Sequence, residues 1–333
     1  MRARPDGRTP GVDGYHRSSV PTLRIGPRPF LRLCQFTLVV TVLNIATGAA
    51  VRLSDSGLGC PDWPTCAQHR LTPPLSLHPV IEFGNRMVVF VLVVACGVTF
   101  VAALLRAPRR ADLTWLAGGL ILGVVGEAVL GAFVVYSKLN PYVVATHFMI
   151  GMGLLAVGVV LVMWAAHGPG RGTVVVAPAA LWLGRTVVAL LVLVLAAGTV
   201  TTGTGPHAGG KGAKRIPVPL EDMTRTHAEI VITTILVVLV LLWVLWRTDA
   251  PPAVQNRAYV LLGAMAAQGA VGYIQFFTHL PPVLVGIHVL GASLVWATAL
   301  WFHHHLSDHR PEVTDEPPAP VPDGELAGTA VPV

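Results

Sequence analysis

The chain has 333 residues, of which 53% are hydrophobic and only 12% charged, with a mean hydropathy of +0.65. A soluble protein carries about twice that charged fraction, so a water-soluble single-core fold is excluded, as is disorder over most of the length. The net charge of +6 comes from Lys and Arg in short segments between long apolar runs. That is the pattern of membrane topology, and it argues against a nucleic-acid partner.

A segment needs about 20 apolar residues to cross bilayer hydrocarbon. Eight qualify: Leu33–Val51, Glu82–Leu105, Leu113–Tyr136, Tyr142–Ala166, Leu183–Thr202, Thr226–Trp246, Tyr259–Phe277 and Val283–Phe302. Backbone polar groups in lipid must be satisfied internally, so each run predicts a helix. The runs are too long and continuous for barrel strands. The expected fold is therefore an all-α integral membrane protein with eight transmembrane helices. Residues 1–32, rich in Arg and Pro, and 307–333, rich in Pro and acidic residues, are expected to be disordered cytoplasmic tails. The first run is long for a signal peptide, and no clear cleavage site follows it. With the N-terminus inside, 15 of the 23 Lys and Arg fall on inner segments. This predicts a multi-pass protein of the cell (plasma) membrane with both termini cytoplasmic.

A repeat organises the helices. At an offset of 141, Gly131 falls on Gly272, Pro141 on Pro282, His147 on His288 and Glu127 on Gln268. At an offset of 142, Asn85 meets His227; separately, the outer ends of the first helices are alike, Ala46–Ala49 resembling Ala196–Thr199. The chain reads as a tandem duplication of two pseudo-symmetric four-helix bundles, residues 33–166 and 167–306.

The polar residues fall into this frame. Glu82, Asn85, His147, His227 and His288 lie within about two turns of the outer ends of helices 2, 4, 6 and 8. Two imidazoles from facing helices of a four-helix bundle hold a haem iron on both axial sides, which makes His227 and His288 candidate iron ligands. A lone intramembrane histidine is commonly a packing residue. Recurrence at one depth in both halves, and the cost of an idle polar group in lipid, favour ligation. Zinc is the weaker reading, because no third ligand of suitable spacing is present.

In the first half Asn85 stands where the second has His227. His147 is therefore expected to hold a haem by one axial bond, which suits a haem that enters, reacts and leaves. The competing reading is a half that has lost its cofactor. Glu82, Asn85 and Arg86 share one helix face. Glu82 is a candidate general base or stabiliser of positive charge, and Arg86 a propionate partner. The alternative is an ordinary Glu–Arg pair. Arg52 and Arg225 are further propionate candidates. Cys60 and Cys66 lie on the outer face, where disulfides persist, and both a redox-active pair and a structural staple are open. Cys34 and Cys96 read as packing residues. Glu127 is an acid near the middle of helix 3, and His303–His305 reads as a solvated helix end.

The loop ending Gly59-Cys60-Pro61-Asp62-Trp63-Pro64, the Glu82…Arg86 segment, and His147, His227 and His288 opening helices 4, 6 and 8 together resemble the haem A synthase family. The resemblance covers about Leu33 to Phe302. It implies a haem b (iron protoporphyrin IX) held by His227 and His288, and substrate haem O near His147 and Glu82. It implies oxidation of the C8 methyl of haem O to a formyl group, by successive hydroxylations and loss of water, to make haem A for a terminal oxidase. The substrate would come from a haem O synthase, the protohaem farnesyltransferase. Cys60 and Cys66 match a loop pair linked to activity in the family, often as a disulfide. The family motif Glu-x-x-His-Arg has Asn85 in place of its histidine, so the implied N-terminal site binds substrate through His147, with Asn85 hydrogen-bonding nearby. The electron acceptor is not identified by the sequence, and a homo-oligomer is compatible with it. The rival readings are a b-type cytochrome exchanging electrons with quinone, a thiol–disulfide membrane protein, and a transporter, whose interrupted helices are missing here.

Overall fold

The computed structural model describes residues 24–67, 72–170, 172–210 and 212–309. Most of the two expected tails, residues 1–23 and 310–333, lies outside the described residues. The helices are α1 (Pro27–Leu53), α2 (Leu77–Leu105), α3 (Ala111–Tyr136), α4 (Pro141–Ala166), α5 (Pro178–Thr204), α6 (Leu220–Arg247), α7 (Pro252–Phe277) and α8 (Pro282–His304). All eight are long and apolar enough to cross a membrane. The chain is an all-α, multi-pass membrane protein.

The helices outrun the apolar segments that announced them. Proline stands at the first turn of α1, α4, α5, α7 and α8, where its preset φ starts a helix and its missing N–H costs nothing. Hence α1 begins at Pro27, inside the segment expected to be tail. α2 begins at Leu77, which places Glu82 more than a turn inside the helix rather than at its start. Two helix ends at matched positions close alike. α3 closes through Lys138 (φ 52°) and Leu139 (φ 60°), with Leu139 N–H donating to the Val134 carbonyl at 2.9 Å. α7 closes the same way, through His279 (φ 64°) and Leu280 (φ 59°), with Leu280 N–H donating to Gln275 at 2.7 Å.

Helices α1 to α4 touch as α1–α2, α2–α3, α3–α4 and α1–α4; α5 to α8 touch as α5–α6, α6–α7, α7–α8 and α5–α8. Contacts of α1 and α4 with α8, and of α4 with α5, join the two sets. α4 serves both cores. Its Leu154 and Leu161 pack with Cys34, Cys96, Leu92 and Leu120, while Met152, Leu155 and Val159 pack with Leu191, Leu241, Leu261 and Trp296. Cys34 and Cys96 are free, buried thiols acting as packing groups.

At the face where α1 begins and α8 ends, β1 (Thr173–Val174) pairs antiparallel with β2 (Ser307–Asp308). This closes the histidine-rich end of α8. His303, His304 and His305 are not a solvated helix end: the His304 ring stacks on His309 at 4.0 Å between centroids and lies 5.0 Å from His167.

Candidate functional site

The functional side chains gather toward the opposite face, which carries the disulfide. Each polar residue singled out by the repeat faces a glycine of the preceding helix. Asn85 on α2 faces Gly48 on α1, and His147 on α4 faces Gly131 on α3. His227 on α6 faces Gly198 on α5, and His288 on α8 faces Gly272 on α7. A Cβ at Gly198 or Gly272 would stand 3.1 Å from the Cε1 of the opposed ring, tighter than an ordinary contact, so the ring would have to give way. These two glycines are thus steric cradles for the imidazoles.

The His227 and His288 rings lie 6.5 Å apart between centroids, inclined by 74°. Each Nδ1 is buried without a well-aligned hydrogen-bond partner among the described residues. A metal–imidazole bond of about 2 Å puts a ring centre about 3 Å from the metal, so two axial imidazoles on one iron have centres roughly 6 Å apart. The spacing and chemistry of the pair fit a haem iron. No group of three His, Cys, Asp or Glu suited to a bare metal ion is found among the described residues.

The first half is built differently. Thr47 Oγ on α1 donates to Asn85 Oδ1 at 2.7 Å, fixing the amide that replaces an imidazole. His147 Nδ1 lies 3.0 Å from Oε2 of Glu127, the buried acid of α3.

Glu82 and Arg86, one turn apart on α2, grip the loop closed by the Cys60–Cys66 disulfide. Cys60 N–H donates to Glu82 Oε2 at 2.7 Å, and Arg86 Nη2 donates to Glu82 Oε1 at 2.6 Å. The guanidinium also donates to the carbonyls of Cys60 (2.9 Å), Asp62 (2.7 Å), Thr65 and Pro64. The loop descends far enough for this because residue 59 is glycine: a Cβ there would lie 2.6 Å from the backbone of His78. The donors of Arg86 therefore serve the loop, where a propionate was expected. No hydrogen bond or ion pair joins Glu82 to His147 among the described residues.

Arg52 is likewise committed. Its Nε donates to the His207 carbonyl at 2.7 Å and its Nη2 to the Thr202 carbonyl at 2.8 Å, tying the end of α1 to the end of α5. His207 continues the tie through its Nε2, 2.8 Å from the Leu280 carbonyl. Arg225 is exposed and lies two positions before His227, so the two side chains do not share a face. The contacts of Glu127 with His147, Thr47 with Asn85, and Arg52 with His207 join separate elements and have no signal in the sequence. Only the glycine partners had a trace in the sequence, as matched positions of the repeat.

The chain is similar to known proteins over much of its first two thirds. The family model described as COX15-CtaA, cytochrome oxidase assembly protein, matches residues 31–79 and 76–208, together more than half of the chain. Curated relatives include three proteins named "Heme A synthase". The one from Geobacillus thermodenitrificans is 33% identical over 113 residues, covering 33% of this chain and 34% of its own length. That from Geobacillus kaustophilus is 30% identical over 111 residues, covering 33% and 34%. That from Shewanella oneidensis is 32% identical over 158 residues, covering 42% and 46%. The chain thus spans from about a third to under half of the length of these relatives. The matched segment carries the disulfide loop, the Glu82–Arg86 grip and the His147 site, and by it the chain belongs to the COX15-CtaA family of cytochrome oxidase assembly proteins.

Proposed function

We propose that this chain is a haem A synthase, a plasma-membrane oxidase that converts the C8 methyl of haem O into the formyl group of haem A for a terminal oxidase. The observation that carries the reading is the His227–His288 pair, 6.5 Å apart and set in two glycine cradles. The names of the relatives point the same way. In this reading both termini are cytoplasmic, the disulfide face is external, and haem O arrives from a haem O synthase.

His227 and His288 would hold haem b, which supplies reversible one-electron chemistry beside the substrate site. The remaining work belongs to the chain. Gly198 and Gly272 let both rings lie against neighbouring backbones and so fix their orientation. His147 binds substrate haem O from one side only. Asn85 is a poor iron ligand, and its oxygen already accepts from Thr47, so the substrate site stays exchangeable. Glu82 has both carboxylate oxygens engaged. That suits an acceptor-only group that stabilises developing positive charge and anchors the disulfide loop over the site, more than a free general base.

Co-expression with a haem O synthase, followed by chromatography of extracted haems, tests the proposal. Haem A is the expected product. A protein that carries haem b while cells accumulate only haem O would instead be a b-type cytochrome exchanging electrons with quinone.

A further inference from the structure

The two halves treat their matched histidines differently. Glu127 and Gln268 occupy equivalent places in the repeat, on α3 and α7. Glu127 turns to a ring, with Oε2 at 3.0 Å from His147 Nδ1. Gln268 turns its side chain to backbone, with Nε2 donating to the His288 carbonyl at 2.7 Å, and meets the His288 ring only through its own main chain. The reason lies across the bundle. His288 has His227 opposite it, so one iron can orient both rings; His147 has an asparagine there and must be oriented by the protein.

Glu127 is equipped for this. Its side chain is 9% exposed, its Oε1 has no hydrogen-bond partner, and His147 is its one ion-pair partner among the described residues. An acid kept in a membrane span without such use would cost a few kcal/mol. The two atoms stand at hydrogen-bond distance without full hydrogen-bond alignment.

We propose that Glu127 is the positioning residue of His147: its carboxylate accepts the Nδ1–H, so that Nε2 is the nitrogen presented to the iron of the substrate haem. The proposal rests on the reading of His147 as the haem O ligand. A carboxylate behind a metal-binding imidazole fixes the tautomer and the ring plane, and losing such a partner typically costs 10- to 100-fold in affinity.

The test uses the full-length chain in detergent with ¹⁵N-labelled histidine, the His147 signals being assigned by their loss in His147→Ala. Wild-type His147 is expected as the Nδ1–H tautomer. Glu127→Gln should give a tautomer mixture and weaken binding of added haemin, read from the Soret band, about 10- to 100-fold. The low-spin haem b spectrum should stay unchanged, and Glu127→Asp should restore part of the affinity. An Nε2–H tautomer in the wild type overturns the proposal even if the variants fail to fold, as does a Glu127→Gln protein with unchanged tautomer and haemin affinity. The two readings fail separately: the expected tautomer in a protein that makes no haem A removes the synthase, and haem A production with the opposite tautomer removes the role of Glu127.

Discussion

At the scale of single residues, the chemistry of this protein turns on which donors are already spent. Arg86 uses its planar fork on Glu82 and the carbonyls of the disulfide loop. A lysine ammonium has the charge but not the fork. Arg86→Lys should therefore loosen the loop, and Cys60 and Cys66 should be labelled by a thiol reagent after milder reduction than in the wild type. Glu82→Gln keeps an oxygen for the Cys60 N–H but loses the charge. It is expected to abolish haem A while sparing the haem b spectrum; loss of both would assign Glu82 to folding alone. Glu82 and Arg86 could be found in the sequence because residues four apart share a helix face. Their partners could not, since Cys60, Asp62 and Thr65 come from a separate loop whose descent onto α2 depends on the absence of a side chain at Gly59.

At the scale of helices, neighbouring elements are held at a distance set by glycine. Gly198→Val or Gly272→Val would place a branched side chain where even a Cβ meets the histidine ring at 3.1 Å. Each should displace its imidazole and remove the low-spin haem b band. Gly48→Ala is the contrasting case, because its Cβ would sit 3.9 Å from Asn85 Oδ1, an ordinary contact. Its stability should stay within about 0.5 kcal/mol of wild type. α4 shows how one helix belongs to two cores, and its second face is pinned by Trp296 Nε1 donating to the Met152 carbonyl at 3.1 Å. Trp296→Phe should cost about 1 kcal/mol for that bond, measured by thermal unfolding in detergent.

At the scale of the molecule, the halves are joined at both ends. On the disulfide face Arg52 reaches from α1 to the Thr202 and His207 carbonyls. Arg52→Ala should destabilise by about 3 kcal/mol, because two carbonyls lose a charged donor. On the other face His305 sits among His167, His309 and Arg257; burial first, helped by these neighbours, outweighs the hydrogen bond to the Trp301 carbonyl and holds it below the ordinary histidine value of 6.5. The folded state thus favours the neutral ring, so this contribution is present above about pH 6.5 and is lost as the pH falls through the lowered value. The melting temperature should drop from pH 7.5 to 5.5, and His305→Gln should flatten that dependence. Eight spans and the matched spacing of the histidines were decided by the order of residues along the chain, because lipid leaves the backbone only the helix and the spacings lie in the sequence itself. Which partner each polar group takes was decided by tertiary structure alone. Glu127 meeting a ring while Gln268 meets a carbonyl, and Arg52 and Arg86 being consumed by backbone oxygens, depend on distances between helices, and those are set by side-chain packing between segments far apart in the chain.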